Sequence, residues 1–238
     1  MAKRQARARD KADTMPRLIV LFLALIACAT QPLRAQTVVV ETITEEVVSE
    51  PAGSERFVAL APAAEPRGIA AFGPFRVLDA TRAALVDVTD SRSPAQFEAM
   101  LRAFPGIGLI EMIDCPGTED DRANLKLGRM VRARGIATFV PADGSVRSGG
   151  VELFLAGARR FADPAAEFAV HSWADEDGRE AKDYPADAPE NRAYLDYYRE
   201  MGMAPAQAQA FYAMTNSVPF SAAKWLSGTE MGRWVRLD

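Results

Sequence analysis

The sequence has a single histidine, His171, and only two cysteines, Cys28 and Cys115. A structural zinc site usually needs several Cys and His ligands, so this composition predicts no such metal centre. A disulfide framework is excluded for the same reason. The net charge of −4 also gives none of the basic surface that nucleic-acid binding requires. We therefore expect no metal site and no nucleic-acid partner.

The composition is otherwise that of an ordinary globular protein. The chain has 238 residues, of which 49% are hydrophobic and 25% charged, so a sizeable core can form without cross-links. The charge is unevenly spread, because residues 1–17 carry six basic and two acidic side chains, a net of +4. The remainder, at −8, is acidic and poorly suited to anionic partners.

The N-terminal region has the pattern of an export signal. Residues 18–29 are an unbroken apolar run that follows the basic segment and precedes polar sequence. As a helix this run would span about 18 Å, which is short of the ~30 Å hydrocarbon core of a bilayer. A basic segment followed by a short apolar run is typical of a secretory signal. A single membrane anchor or a buried helix is the alternative interpretation.

Two processing sites fit the signal. The segment Leu25-Ile26-Ala27-Cys28 resembles the lipobox of bacterial lipoproteins, in which Cys28 would carry the lipid and the signal would end at 27. Cleavage after Ala35 would instead give a signal over 1–35, and Met15 is an alternative start. We expect an exported protein, either periplasmic or a membrane-anchored lipoprotein. It would touch the membrane only through the signal or a lipid anchor.

The rest of the chain divides into two parts. Residues 36–74 are predicted to be an extended or linker segment, with possible strands at 36–48 and 57–60. From 75 to 238, strands alternate with helices, which predicts an α/β domain with a mostly parallel sheet. The expected strands are 75–78, 84–88, 108–113, 136–140 and 167–170. One helix is expected to begin at Ser93, and further helices are expected over 124–134, 149–160, 189–201 and 204–214. A loop is expected at 141–147.

Two residues in this pattern could carry chemistry. His171 follows a predicted strand, where reactive groups of open α/β sheets gather. Ser148 precedes a predicted helix, where free backbone N–H groups can stabilise an oxyanion. A serine is a weak nucleophile until a base takes its proton, and His171 is the only imidazole of the chain. Taken singly, Ser148 is equally consistent with a helix cap and His171 with a structural residue.

The surrounding residues resemble a known family. Residues 144–157 (GSVRSGGVELFLAG) and Phe168-Ala169-Val170-His171 resemble the bacterial periplasmic ClpP-like proteins of the ClpP/crotonase superfamily. Cys115-Pro116-Gly117-Thr118 resembles the S-P-G-G turn that precedes the serine in that family. The resemblance covers about residues 75–235. It implies a ClpP/crotonase-like spiral of mostly parallel strands with surrounding helices.

The resemblance also implies roles for particular residues. Ser148 would be the nucleophile, His171 the base, and the backbone N–H groups of Gly149 and Thr118 the oxyanion hole of a serine peptidase. Such a peptidase would act on a peptide or protein substrate and form a homo-oligomer. The chain departs from the family at Thr118, where a glycine is expected, and at Ala223, where the third catalytic residue is an Asp. Asn216, Ser217 and Asp175 are the remaining candidates for that third position.

Two other functions compete with a serine peptidase. A ClpP-like pseudoenzyme that serves oligomerisation or partner binding is favoured by Thr118 and Ala223. A crotonase-type acyl-CoA enzyme is opposed by the export signal, because coenzyme A is cytoplasmic. Glu152 is predicted to be a partner-facing charge on its helix, with an acid/base role as the alternative. Tyr194, Tyr197 and Tyr198 are predicted to be packing residues.

Overall fold

The computed structural model of the chain describes residues 65–238. The predicted signal, Cys28, Met15 and the possible strands within 36–60 lie outside the described residues. Within 65–238, no helix is long and apolar enough to cross a membrane.

The described residues form an α/β domain whose strands belong to two sheets. The strands are β1 Ala70–Phe72, β2 Phe75–Val77, β3 Arg82–Leu85, β4 Leu109–Met112, β5 Asp114–Cys115, β6 Ala137–Val140, β7 Ser145–Arg147, β8 Arg160–Ala162, β9 Glu167–Val170 and β10 Lys224–Ser227. The helices are α1 Ser93–Ala103, α2 Asp121–Ala133, α3 Gly149–Leu155, α4 Pro189–Glu200, α5 Pro205–Thr215 and α6 Gly228–Met231, with a 3₁₀ turn at Ala181–Asp183. The predicted α/β class is confirmed.

The strand order shows how the chain winds. One sheet has the order β1-β2-β3-β4-β6-β8 and the other β10-β9-β7-β5. The chain places one strand in the larger sheet and the next strand in the smaller sheet, and it repeats this step three times, as β4 and β5, β6 and β7, and β8 and β9. All neighbours within these steps pair in parallel. The chain therefore advances as a spiral, with α2 and α3 between its steps.

This winding brings the carboxyl ends of β5, β7 and β9 to one edge of the smaller sheet. Ser145 pairs with Asp114 on β5 and with Glu167 on β9, which fixes the register of all three strands. An ion pair between Arg147 and Asp114, at 2.7 Å, joins β7 to β5 near the same edge. The residues that follow these three strands consequently lie side by side.

Local sequence explains most of the helix boundaries. The α2 helix begins after Asp120, whose carboxylate accepts a 2.9 Å hydrogen bond from the Ala123 amide and so caps the first turn. It begins three residues before the predicted start at 124. It ends at Ala133, one residue before the predicted end, and the chain turns away at Gly135, whose φ is +67°, an angle that glycine adopts at no steric cost.

Three predictions about the middle of the chain were wrong. The predicted loop at 141–147 contains β7, whose three residues are too few to show a periodic pattern. The helix predicted over 149–160 ends at Leu155, and β8 begins at Arg160. Thr138 explains the early end: its hydroxyl donates to the Phe154 carbonyl at 2.8 Å. The strand predicted over 84–88 lies at Arg82–Leu85.

Part of the core forms where α2, α3 and α4 meet. Tyr197 and Tyr198 of α4 are fully buried, and the Tyr197 hydroxyl donates to the Glu152 carbonyl of α3 at 2.6 Å. Gly128 of α2 lies directly against this tyrosine, because a Cβ built on Gly128 would fall 2.0 Å from Tyr197 Oη. The absence of a side chain at Gly128 therefore permits this close approach. The tyrosines are packing residues, as predicted.

We expect Gly128→Ala to destabilise the domain by about 1–3 kcal/mol, because overpacking forces buried side chains and backbone to shift. Denaturant unfolding of the wild type and the variant would measure this loss. Gly108→Ala is the matched control, since a Cβ at Gly108 meets nothing within 4 Å and the same change there should cost no stability. Equal stabilities of the two variants would contradict this account of the packing.

Candidate functional site

Ser148 stands at a sharp turn between β7 and α3. Its φ of 49° makes it the only residue other than glycine with positive φ among residues 65–238. Side chains rarely adopt such angles, and strained backbone of this kind gathers at functional sites. Its amide donates to the Ala169 carbonyl of β9 at 2.9 Å, so the last ladder bond anchors the turn. Ser148 remains partly exposed.

His171 follows the adjacent strand directly. The parallel register pairs Arg147 with Ala169, so Ser148 and His171 leave neighbouring strands at the same sheet edge. Both line one cavity, although no hydrogen bond joins the Ser148 hydroxyl to the imidazole within the described residues. The His171 Nδ1 lies 2.8 Å from the Ser172 carbonyl. A carbonyl can only accept, so this contact favours the neutral tautomer in which Nδ1 carries the proton and Nε2 is the acceptor.

The turn after β5 lies against Ser148. A Cβ built on Gly117 would be 3.1 Å from Ser148 Cβ and 3.5 Å from its Oγ. Gly117 has a φ of +136°, so it is the residue of this turn that needs to be glycine. Thr118, at the position of the family's second glycine, has no positive φ. Its presence there therefore causes no backbone strain.

Two backbone amides are free next to Ser148. Among the described residues, neither the Thr118 amide nor the Gly149 amide donates a hydrogen bond to a protein acceptor. The bridge between Thr89 and Thr118 is made by the residues on either side of Thr118, because the Thr89 amide donates to the Gly117 carbonyl and the Glu119 amide donates to the Thr89 carbonyl. A Cβ on Gly149 would fall 2.6 Å from Thr118 Cγ2. The two residues are thus in contact, with two unused N–H groups beside one hydroxyl.

A buried polar network that the sequence analysis missed holds these two amides in place. The Asn124 side chain donates to the Gly149 carbonyl at 2.7 Å and accepts from the Thr89 hydroxyl at 3.0 Å. Asn124 and Thr89 are each 1% exposed. Buried polar groups are retained when fully bonded. The sequence signal was weak, because Asn124 stood at the predicted start of a helix, where an asparagine is an ordinary cap.

The three candidates for a third catalytic position lie in different places. Asn216 lines the cavity with Ser148 and His171, and its Oδ1 is buried without a hydrogen-bond partner among the described residues. Ser217 donates to the Met214 carbonyl at 2.7 Å. Asp175 accepts from the Tyr184 hydroxyl and pairs with Arg179. Of the three, the structure brings only Asn216 into the cavity lining.

Ala223 lies near the strand end that carries His171. β10 pairs antiparallel with β9 as far as Lys224 opposite Val170. Ala223 directly precedes β10, and His171 directly follows β9, at the same end of this strand pair. The position at which the resembling family has its aspartate is therefore near the end of β9 that carries His171, and here it has only a methyl group.

The cavity itself measures about 190 Å³ and is walled by aromatic residues. Trp173 stacks on Tyr194 at an interplanar angle of 12°, and its indole N–H donates to the Tyr212 hydroxyl at 2.7 Å. Its ionisable residues are Glu119, Asp121, Glu152, His171, Tyr194, Tyr198 and Tyr212. Among the described residues the lining contains no Lys or Arg.

Glu152 is the buried acid of this cavity. The prediction of a partner-facing charge was wrong, because Glu152 is only 7% exposed and its Oε1 accepts from the Tyr198 hydroxyl at 2.7 Å. Burial raises the pKa of Glu152 to about 7, and the Tyr198 hydrogen bond opposes that shift. Desolvation likewise raises the pKa of Asp121, against the opposing effect of the Tyr194 hydroxyl.

Comparison with known proteins gives only distant similarity. The chain matches no protein-family model and no curated protein. Among solved structures it is similar to a variant of the 1510-N membrane-bound stomatin-specific protease in complex with a substrate peptide, at 14% identity and a TM-score of 0.44, over 64% of this chain and 73% of that one. It is also similar to a variant of ClpP1 from Listeria monocytogenes, at 18% identity and a TM-score of 0.44, over 66% of this chain and 88% of that one.

The raised pKa of Glu152 predicts a pH-dependent stability. The folded protein binds the proton more tightly than the unfolded chain, so this stabilisation is full below about pH 4.5 and is lost as the pH rises through about 7. Glu152→Gln keeps an acceptor for Tyr198 but cannot ionise. The stability of the variant relative to the wild type should therefore rise between pH 4.5 and pH 8 by up to about 3 kcal/mol.

Denaturant unfolding at a series of pH values would measure the difference. Glu176→Gln, which removes an exposed carboxylate, should leave the wild-type dependence unchanged. Parallel pH profiles for Glu152→Gln and the wild type would show that Glu152 titrates normally.

Proposed function

We propose that the protein is an exported, ClpP-like serine peptidase in which Ser148 is the nucleophile and His171 the general base. The observation that carries the proposal is the turn at Ser148. Ser148 has a positive φ, and its amide is hydrogen-bonded to the neighbouring parallel strand. The only histidine of the chain follows that strand. A nucleophile on a strained strand-to-helix turn requires this arrangement. The resemblance of residues 144–157 to the ClpP-like family supports the same assignment.

The proposed reaction follows from the positions of the polar groups. Ser148 Oγ attacks the carbonyl carbon of the scissile peptide bond while His171 Nε2 takes its proton. The Thr118 and Gly149 amides donate to the oxyanion that forms. The imidazolium then protonates the leaving amine, and a water molecule activated by the same imidazole hydrolyses the acyl-enzyme. No step requires a metal or a cofactor.

The Ser172 carbonyl has the orienting role in this proposal. It accepts from Nδ1 at 2.8 Å and so fixes the tautomer that presents Nε2 to the serine. A carbonyl lacks the negative charge with which a carboxylate stabilises the imidazolium. We therefore propose that the enzyme is slow. From the export signal and the family resemblance, we also propose that it acts on peptides outside the cytoplasm and assembles as a homo-oligomer.

The second candidate function is a ClpP-like pseudoenzyme that binds a partner without cleaving it. The observation that favours it is the lack of a hydrogen bond between Ser148 and His171 in the described residues, together with an alanine at 223, next to the strand end that pairs with Val170. The two candidates differ in one property, which is the reactivity of the Ser148 hydroxyl.

We expect a fluorophosphonate probe to label Ser148, as detected by intact mass and peptide mapping. Ser148→Ala should abolish labelling, and His171→Ala should slow it by at least about a hundredfold, the contribution typical of a general base. Ser217→Ala is the control, because that hydroxyl is exposed and bonds only to the Met214 carbonyl. A folded wild type that stays unlabelled would favour the pseudoenzyme.

We further expect Ala223→Asp to accelerate the labelling of Ser148 by at least about tenfold, because a carboxylate beside the imidazole stabilises its protonated form. Labelling rates at one pH and probe concentration would give the comparison. Ala223→Asn has the same shape without the charge and should give less than this gain. If the two variants react equally fast, the charge at this position does not act on His171.

A further inference from the structure

The cavity beside Ser148 is a concentration of acceptors and negative charge. Three carboxylates line it, those of Glu119, Asp121 and Glu152, and among the described residues no Lys or Arg balances them. Glu119 and Asp121 are exposed, whereas Glu152 is buried. An approaching ligand would therefore meet negative charge first at the outer carboxylates and then at the inner one.

One acceptor that lines this cavity lacks a donor among residues 65–238. The buried Oδ1 of Asn216 has no hydrogen-bond partner there, because its amide nitrogen is the group that bonds, to the Tyr212 carbonyl at 2.8 Å. Leaving buried polar atoms unpaired costs about 1–3 kcal/mol each. An unpaired acceptor in the same cavity as the buried Glu152 carboxyl points to a ligand that brings a donor.

The walls of the cavity suit a cation as well as a donor. Trp173, Tyr194, Tyr198 and Tyr212 line it, and their ring centroids lie about 6 Å apart in the pairs Trp173–Tyr194 and Tyr194–Tyr212. A cation over the face of such a ring gains about 0.5–2 kcal/mol, more when it is desolvated. An acidic group among aromatic faces therefore favours a positively charged side chain over a neutral one of the same length.

We propose that this cavity is a specificity pocket for a lysine or arginine side chain of the substrate, with Glu152 as the residue that binds the charge. The proposal deepens the proposed peptidase function and rests on it, because the lysine or arginine would belong to the peptide that the enzyme cleaves. Ser148 lines the same cavity, so the cationic residue would be the one adjoining the scissile bond. Among the described lining residues, only His171 could carry a competing positive charge.

The direct test is binding of a small cation against its neutral isostere. Titration calorimetry at pH 8, above the pKa of about 7 for Glu152, would compare n-pentylguanidinium with n-pentylurea. We expect the wild type to bind the guanidinium at least about tenfold more tightly, the ratio that about 1.4 kcal/mol of charge recognition gives. Equal affinities for the two compounds would overturn the proposal.

Variants locate the preference within the cavity. Glu152→Gln, checked for folding by its thermal unfolding, should bind the two compounds with affinities within about threefold of each other, because the buried charge is gone. Asp121→Asn should lose only part of the preference, because the buried Glu152 charge remains. Glu176→Gln changes the net charge equally but lies outside the cavity lining, and it should keep the full preference. A preference that survives in Glu152→Gln would overturn the assignment of Glu152.

The same pocket predicts cleavage specificity. In matched peptides, lysine or arginine before the scissile bond should raise kcat/KM at least about tenfold over norleucine, which has a similar length without the charge. The binding and labelling experiments separate the two proposals. An unlabelled Ser148 with an intact guanidinium preference would overturn the peptidase and leave the pocket, whereas a labelled Ser148 without that preference would overturn the pocket alone.

Discussion

The site depends on the parallel pairing of β7 with β9. That pairing directs two successive strands to the same sheet edge and holds the Ser148 amide on the Ala169 carbonyl at 2.9 Å. Because the amide is fixed there while α3 begins at the next residue, the chain must turn within Ser148 itself. The positive φ of 49° is the consequence. A strained conformation of this kind costs about 1–3 kcal/mol and persists because strand and helix both constrain it.

A second constraint acts on the other side of α3. Burying the Glu152 carboxyl is costly unless it is hydrogen-bonded, and α4 supplies the donor through Tyr198. The neighbouring Tyr197 bonds the Glu152 carbonyl and fits because Gly128 has no side chain. One pair of tyrosines thus fixes α4 against both α2 and α3. Tyr194, on the same helix, lines the cavity, so this packing also sets one of the cavity walls.

The sequence predicted what depends on local pattern and missed what depends on distant contacts. The strand Glu167–Val170 was readable, because its short apolar run is local and all three residues after Glu167 are buried. The strand Ser145–Arg147 was not, since three residues show no period and only pairing with β5 and β9 makes them a strand.

The same division applies to the site. Ser148 before a helix and His171 after a strand were predicted to act as nucleophile and base, and the two residues do line one cavity. The Ser172 carbonyl against Nδ1 could not be predicted, because backbone groups have no sequence signature. Asn124 and Glu152 were misjudged because an isolated polar residue on a helix usually faces solvent, whereas here each has a buried partner from a distant element.

The charge of the cavity bears on how the proposed reaction can proceed without an aspartate at position 223. A carbonyl orients the imidazole but does not stabilise the imidazolium, so any negative charge must come from elsewhere. Glu119, Asp121 and Glu152 line the same cavity as the His171 ring. A bound cationic side chain would neutralise only one of these three carboxylates. The other two would leave negative charge on the cavity wall when the imidazolium forms during the proposed reaction, so the proposed specificity and the proposed catalysis are compatible within one cavity.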